Sequence, residues 1–141
     1  MPTRNASATW EGGLKGGKGT FKGSSGLIGG NFSFGTRFGE EPGTNPEELL
    51  AAAEAACFSM ALSLGLEGAG APPERVQTEA ACTVERVDGG FKITTMKLRV
   101  RVRAPGVEND AFQRIVEGTR TGCPVSQALA GVDIQVEATL E

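Results

Sequence analysis

The sequence predicts an α+β fold in which antiparallel sheets surround a long, buried central helix. Three observations support this prediction: short alternating segments that are typical of strands, one long apolar run that is typical of a buried helix, and strand and helix patterns that occur in blocks. The predicted order of elements is βββ-α-ββ-α-α-β. At 141 residues the chain is long enough to bury a core, and we expect a single domain that covers residues 1–141.

The first part of the chain is rich in glycine and predicts short strands joined by turns. The three predicted strands are residues 7–11, 19–22 and 31–34. Residues 35–38 are expected to end the third strand, which would place Arg37 at the end of a sheet, next to aromatic side chains and just before the helix that carries Cys57. A surface arginine is the simplest interpretation of Arg37 when composition alone is considered.

Residues 44–67 predict the central helix. Asn45 suits the cap position, Pro46 suits the first helical position, and acids follow in the first turn, where the helix dipole favours them. Residues 49–66 are almost all apolar or small, and a helix that is apolar all round is typically buried. One small sheet cannot cover such a helix completely, so we expect two copies of the chain to pair as a homodimer.

The second half predicts a long hairpin, two helices and a last strand. The predicted segments are strands at 75–87 and 91–104, an amphipathic helix at 109–121, a short helix that starts at Pro124 and a strand at 132–140. A basic row on the second strand of the hairpin could bind an anion, but a solvated sheet face opposite Glu79 and Glu85 is the simpler interpretation. The row consists of Lys97, Arg99, Arg101 and Arg103.

Composition excludes several classes of function. The formal net charge of −3 argues against non-specific binding of nucleic acid. The chain has no histidine, which removes catalysis by Ser-His-Asp and Cys-His pairs and the usual zinc sites. The sequence implies no metal and no tightly bound organic cofactor.

The expected compartment is the cytoplasm. The three cysteines are an odd number, which does not suggest a secreted disulfide scaffold, and the N-terminus has no apolar signal-peptide core. The apolar run approaches the length of a membrane span. However, it contains Glu54 and is flanked by acids, so we expect no membrane helix.

The three cysteines call for different interpretations. Cys82 lies on the apolar face of a predicted strand, where a small core residue is the favoured interpretation. Cys123 lies at a predicted helix start, where free amides and the helix dipole stabilise a thiolate. Cys57 lies among apolar neighbours, which raise the pKa of a thiol. A reactive Cys57 therefore needs a nearby cation, and without histidine that cation must be lysine or arginine.

Three segments together resemble the OsmC/Ohr family of osmotically inducible and organic-hydroperoxide-resistance proteins. They are NPEEL at 45–49, AACFSMALS at 55–63 and GCPVS at 122–126, and the TRF sequence at 36–38 agrees with them. Each segment alone is a weak signal, but at these separations they are specific. The resemblance is strongest to the OsmC branch and extends nearly end to end, from Trp10 to the last strand.

The resemblance implies a thiol-dependent peroxidase that reduces organic hydroperoxides to alcohols. It makes Cys57 the peroxidatic cysteine, which attacks the O–O bond and becomes a sulfenic acid. It makes Cys123 the resolving cysteine, which condenses with Cys57 to a disulfide. Arg37 would lower the pKa of Cys57 and orient the peroxide, while Glu47 would hold Arg37 by a salt bridge. The reductant in this family is commonly a small dithiol or a lipoyl-bearing protein.

Two lysines remain alternatives to Arg37. The Ohr branch takes its arginine from an earlier loop, and Lys15 and Lys18 lie in the corresponding region of this chain. A second question is which chain supplies the cation. Ten residues of continuous helix span about 15 Å, so Glu47 cannot lie beside Cys57 of its own chain if the helix is unbroken.

We therefore expect a composite active site at the interface of an intertwined homodimer, as the resemblance also implies. Arg37 and Glu47 would come from one subunit, and Cys57 and Cys123 from the other. Three apolar side chains are expected to line the substrate pocket and to favour organic hydroperoxides over hydrogen peroxide: Phe38, Phe58 and Met60.

Two other functions remain open at this point. The first is a non-catalytic dimeric binding module with an apolar cleft at its interface, in which Cys57 would be dispensable for ligand binding. The second is a cysteine redox sensor, which would form the same disulfide slowly and pass the signal to a partner. Consumption of peroxide that depends on Cys57 would distinguish the enzyme from both.

Overall fold

The computed structural model describes residues 1–141, and the chain forms two compact units, residues 1–48 and residues 49–141. The predicted α+β class is confirmed, while the predicted single domain stays a prediction. In chain order the elements are β1 (Ala6–Glu11), β2 (Lys18–Gly23), β3 (Gly29–Phe32), α1 (Phe34–Phe38), α2 (Pro46–Gly68), β4 (Arg75–Val87), β5 (Gly90–Arg103), α3 (Asn109–Gly122), α4 (Pro124–Ala128) and β6 (Asp133–Leu140).

The first unit contains an antiparallel meander of β1, β2 and β3. Gly19 on the central strand lies opposite Trp10 on one side and Phe32 on the other. The two aromatic rings approach to 5.5 Å between centroids over this glycine. A Cβ atom at Gly19 would lie 2.5 Å from the Phe32 ring and 2.8 Å from the Trp10 ring, so only glycine lets this aromatic pair form.

The third strand lies two residues earlier than the predicted 31–34. It ends at Phe32, and residues Phe34–Phe38 form the short helix α1 instead of a strand end. A capping box starts this helix: the Thr36 N–H donates to Ser33 Oγ, and the Ser33 N–H donates to Thr36 Oγ1 at 2.8 Å. The prediction that Arg37 lies at a strand end is therefore wrong, since Arg37 lies in the last turn of α1.

Helix α2 begins as predicted and is apolar on two faces. Asn45 caps it by accepting a hydrogen bond from the Glu48 N–H at 2.9 Å. One stripe is fully buried and contains Phe58, Leu62 and Leu66. The opposite stripe is open in the single chain, where Met60 is 76% exposed. This exposure agrees with the prediction that one small sheet cannot cover the helix completely, while the homodimer stays a prediction.

The same helix is long and apolar enough to cross a membrane when judged by length and composition alone. One such helix is weak support for a membrane protein, because the core helix of a soluble protein meets the same criteria. Here the helix also carries a fully buried carboxylate, Glu54.

The second unit is built on the sheet β4-β5-β6. The predicted hairpin is present, with β4 and β5 antiparallel, but β6 pairs with β5 in parallel. The prediction of antiparallel sheets is therefore wrong for β6. The connection from β5 to β6 runs through α3 and α4, and such long crossovers are what parallel neighbours require.

The core of the second unit follows the predicted alternation along β5. Its inward side chains pack with buried residues of α2 and α3, and the cluster contains Met96, Leu98, Val100, Val102, Phe58, Leu62, Leu66, Phe112 and Val116. The basic row faces outward, as predicted, and Arg99 lies 3.9 Å from Glu79 across the sheet. Both side chains are largely exposed, so this pair contributes little stability.

Candidate active site

Cys57 and Cys123 lie in contact although 66 positions separate them in the sequence. Cys57 is half-buried in the middle of α2, and Cys123 is fully buried at the junction of α3 and α4. Cys123 Sγ lies 2.8 Å from Cys57 Sγ, within hydrogen-bond distance for two thiols. A disulfide has an S–S distance of about 2.05 Å, so a small displacement would bring this pair to bonding distance.

The backbone of Cys123 is held on both sides by helical hydrogen bonds. Its N–H donates to the Thr119 carbonyl at 2.9 Å and closes α3, while its own carbonyl accepts from the Gln127 N–H at 2.9 Å in α4. Pro124 at the first position of α4 fixes the start of that helix. Cys123 is therefore positioned by the ends of two helices, and little backbone freedom remains at this residue.

The residues around Cys57 within the second unit favour its protonated form. Partial burial raises the pKa of the Cys57 thiol, and the hydrogen bond with Cys123 and the negative charge of Glu54 raise it further. Only the backbone N–H of Val125, at the start of α4, lowers this pKa. The sequence predicts that the amides at this helix start act on Cys123, whereas in the structure the Val125 amide acts on Cys57.

A buried carboxylate accompanies the two sulfurs. Glu54 is fully buried, and its Oε1 accepts a hydrogen bond from Ser126 Oγ at 2.5 Å. Cys123 Sγ lies 3.9 Å from the same oxygen, and Glu54 Oε2 has no hydrogen-bond partner. From the sequence, Glu54 is identified only as a charge that opposes a membrane helix. The available signal was its spacing, since a residue three positions before Cys57 lies on the same side of the helix.

Arg37 and Glu47 form the predicted salt bridge in the first unit. Arg37 Nη2 donates to Glu47 Oε1 at 2.8 Å, and Arg37 Nε donates to the same oxygen at 3.1 Å. The Glu47 side chain is only 7% exposed, so this charge pair is shielded from water on one side. Asn45 supports the arrangement, since its Nδ2 donates to the Thr36 carbonyl at 2.9 Å.

An aromatic pocket of about 280 Å³ lies beside Arg37 in the first unit. Its lining consists of Trp10, Leu14, Phe32, Ser33, Phe34, Arg37 and Phe38. Lys15, one of the two alternatives to Arg37 as the activating cation, lies close to this pocket, since its Nζ is 6.0 Å from the centroid of the Phe34 ring. Lys18 is the first residue of β2.

Of the three side chains predicted to line a substrate pocket, Phe38 belongs to this aromatic pocket. Phe58 has no exposed surface and packs in the core of the second unit, so the structure does not support its predicted role in lining a substrate pocket. Met60 lies on the open stripe of α2. Since α2 is apolar nearly all round, its sequence does not indicate which of its faces enters the core.

The side chains of the second unit can support two-electron thiol chemistry. Two thiols are in contact, an amide donor faces one of them, and a carboxylate that can accept a proton faces the other. No group of three or more histidine, cysteine, aspartate or glutamate side chains is arranged so that it could hold a metal ion.

Comparison with known proteins shows clear relatives. The family model described as OsmC-like protein matches residues 39–137. The chain is 47% identical over 127 residues to peroxiredoxin OsmC of Escherichia coli, with 89% of each chain covered. It is 33% identical over 99 residues to the organic hydroperoxide resistance protein of Xanthomonas axonopodis pv. citri, with 70% of this chain and 67% of that protein covered.

Solved structures agree with these relatives. The crystal structure of an organic hydroperoxide resistance protein from Elizabethkingia anophelis, with thiocyanate bound, superposes with a TM-score of 0.77 at 26% identity. That match covers 100% of this chain and 98% of the other.

Proposed function

Since the chain belongs to the OsmC-like protein family, we propose that it is a thiol-dependent peroxidase that reduces organic hydroperoxides to alcohols. The names of its relatives, a peroxiredoxin and an organic hydroperoxide resistance protein, support a peroxidase-like role. The single observation that carries the proposal is the contact between Cys57 Sγ and Cys123 Sγ at 2.8 Å.

The proposed cycle has three steps. The Cys57 thiolate attacks the O–O bond, which releases the alcohol once a proton is added and leaves a sulfenic acid on Cys57. The Cys123 thiol then attacks the sulfenic sulfur, water leaves, and a Cys57–Cys123 disulfide forms. A small dithiol or a lipoyl-bearing protein returns both cysteines to thiols by thiol–disulfide exchange. No resident metal or organic cofactor takes part in these steps.

Activation of Cys57 requires a cation, and we assign this role to Arg37. Burial, Cys123 and Glu54 all raise the pKa of the Cys57 thiol, so a positive charge is needed to favour the thiolate near neutral pH. The Arg37–Glu47 pair offers a guanidinium that is fixed by two hydrogen bonds from Arg37 to one carboxylate oxygen. Lys15 and Lys18 remain the alternatives that mutagenesis must exclude.

We propose that Arg37 and Glu47 of one subunit complete the site of Cys57 and Cys123 in the other subunit of a homodimer. Helix α2 is unbroken from Pro46 to Gly68. Glu47 and Cys57 of one chain are therefore about 15 Å apart along the helix, which supports a site shared between two subunits. The open apolar stripe of α2 also supports pairing, since Met60 is 76% and Leu64 71% exposed in the single chain.

The aromatic pocket beside Arg37 supports an organic substrate. Its side chains are mostly aromatic or aliphatic, and such a lining favours the hydrocarbon part of an alkyl or aryl hydroperoxide over hydrogen peroxide. The proposed compartment is the cytoplasm, where a reducing thiol pool would regenerate the enzyme.

A peroxidase assay tests this function. Purified protein is mixed with cumene hydroperoxide, tert-butyl hydroperoxide or hydrogen peroxide, with dithiothreitol or a reduced lipoyl protein as reductant. We expect catalytic consumption that is faster with the organic peroxides, and a Cys82→Ala variant should retain it. Complete inertness toward peroxide would favour a binding module, and a single slow oxidation without turnover would favour a redox sensor.

Replacing Cys123 with serine should separate the two half-reactions. Without the resolving thiol, the Cys57 sulfenic acid should persist, and excess peroxide should convert it to sulfinic and sulfonic acid. Labelling with dimedone followed by intact-protein mass spectrometry measures these species. Equal multiple turnover in Cys123→Ser and wild-type protein would show that another thiol resolves the intermediate.

A further inference from the structure

Glu54 is a buried charged group that the proposed cycle leaves without a role. The side chain has no exposed surface, and its Oε2 lacks any hydrogen-bond partner. A buried carboxylate is costly unless both oxygens are satisfied, so its retention beside two reactive sulfurs requires a reason. The Ser126 hydroxyl and the Cys123 thiol both lie within hydrogen-bond distance of Oε1.

A purely structural role explains this group poorly. A glutamine would accept the same hydrogen bond from Ser126 without burying a charge. The negative charge of Glu54 also raises the pKa of Cys57, which works against formation of the peroxidatic thiolate. A benefit is therefore expected at a step other than the attack of Cys57 on the peroxide.

We propose that Glu54 is the general base of the resolving step, which takes the proton of the Cys123 thiol while Cys123 attacks the oxidised Cys57. This inference rests on the proposed peroxidase function. The geometry that supports it is the distance of 3.9 Å from Cys123 Sγ to Glu54 Oε1, within the range of a hydrogen bond from a thiol, while Cys123 Sγ also touches Cys57 Sγ. Glu54 and Cys57 thus flank one sulfur, one as proton acceptor and the other as the point of attack.

The proposed step balances without a further reactant. The Cys123 S–H bond breaks, its proton passes to Glu54 Oε1, and the electron pair left on Cys123 forms the new S–S bond. The S–O bond of the Cys57 sulfenic acid breaks, and its electron pair leaves with hydroxide. Glu54 then gives its proton to this hydroxide, which departs as water, and the carboxylate is restored.

Ser126 is the positioning residue in this arrangement. Ser126 lies on α4, three residues after Cys123, and its hydrogen bond of 2.5 Å to Glu54 Oε1 links the carboxylate on α2 to the helix that Cys123 precedes. A short hydrogen bond to a carboxylate is among the stronger ones in proteins. It therefore fixes the oxygen that receives the proton.

Glu54→Gln tests the proposal when the two steps are measured separately by stopped flow with cumene hydroperoxide. Glutamine keeps an oxygen that can accept from Ser126 but does not act as a base. We expect sulfenic acid formation at the wild-type rate or faster, disulfide formation slowed by about 100-fold or more, and a larger dimedone-labelled fraction. Glu67→Gln, an exposed change on the same helix, should leave both rates unchanged.

The opposing results are distinct from a failure of the peroxidase proposal. Disulfide formation at the wild-type rate in Glu54→Gln, or equal slowing of both steps, would overturn the role of Glu54. In either case, turnover by the wild-type protein would still support the peroxidase function. A wild-type protein that forms no sulfenic acid would overturn the peroxidase itself. If Glu54→Gln does not fold, Glu54→Asp, which withdraws the carboxylate from Cys123, should slow only disulfide formation, and an unchanged rate would refute the proposal.

Discussion

Replacing Cys57 with serine is expected to abolish turnover of organic hydroperoxides. A serine hydroxyl at this position is far less acidic than a thiol and forms no sulfenic acid, so neither the attack on the O–O bond nor the disulfide with Cys123 can occur. We expect kcat/KM for cumene hydroperoxide to fall to less than about a thousandth of the wild-type value, since loss of a nucleophile typically removes nearly all chemical catalysis.

The matched control for this change is Cys82→Ala. Cys82 lies half-buried on β4 and packs against the core of the second unit, so its removal changes the thiol count without touching the Cys57–Cys123 pair. It should cost some stability but keep kcat/KM within a few-fold of wild type. Retention of peroxide consumption by Cys57→Ser, at a rate comparable to the control, would show that Cys57 is not the attacking group.

Replacing Arg37 with alanine is expected to shift the pH dependence of Cys57 reactivity to higher pH. A cation close to a thiolate lowers the thiol pKa by about 1–3 units. Without Arg37, burial, the Cys123 hydrogen bond and the Glu54 charge keep the pKa of Cys57 high, so the thiol stays protonated at neutral pH. At neutral pH kcat/KM should therefore fall by about 10- to 1,000-fold, and activity should recover as pH rises.

The pH profile distinguishes this account from a loss of folding. Alkylation of Cys57 by iodoacetamide, followed across pH by mass spectrometry, reports the thiolate directly. The matched variants Lys15→Ala and Lys18→Ala should keep the wild-type profile. An alkaline shift in a lysine variant, with an unchanged profile in Arg37→Ala, would assign the activating cation to the earlier loop instead.

A mixture of two inactive variants tests whether the site is shared between subunits. In a dimer of one Arg37→Ala chain and one Cys57→Ser chain, a composite arrangement leaves one complete site. Random reassembly after mild denaturation should then restore about a quarter of the wild-type activity. A site built within one chain predicts no recovery in the same mixture.

The regular parts of the fold could be predicted from local patterns. Alternation along β5 and the cap of α2 at Asn45 depend on neighbouring residues, and the structure confirms both. The helix α1 was missed because five residues are too few to show helical periodicity, so its only signal is the pairing of Ser33 with Thr36. The parallel direction of β6 does not follow from alternation, which is the same in either direction, and its only signal is the long connection through α3 and α4.

The candidate site was predictable only in part. Cys57, Cys123, Arg37 and Glu47 were identified because they occur in segments that resemble a known family. Glu54 was missed because its contacts are tertiary, with Ser126 lying 72 positions away in the sequence. A glutamate inside an apolar helix indicates that something unusual is buried, but the sequence alone does not name its partners.

The most direct test of the peroxidase account is intact-protein mass spectrometry after one equivalent of cumene hydroperoxide, followed by peptide mapping without reduction. The account predicts the loss of two hydrogen atoms per chain and a linked pair of peptides that contain Cys57 and Cys123, reversed by dithiothreitol. An unchanged mass, or a stable oxygen adduct on Cys57 while Cys123 stays a free thiol, would contradict it.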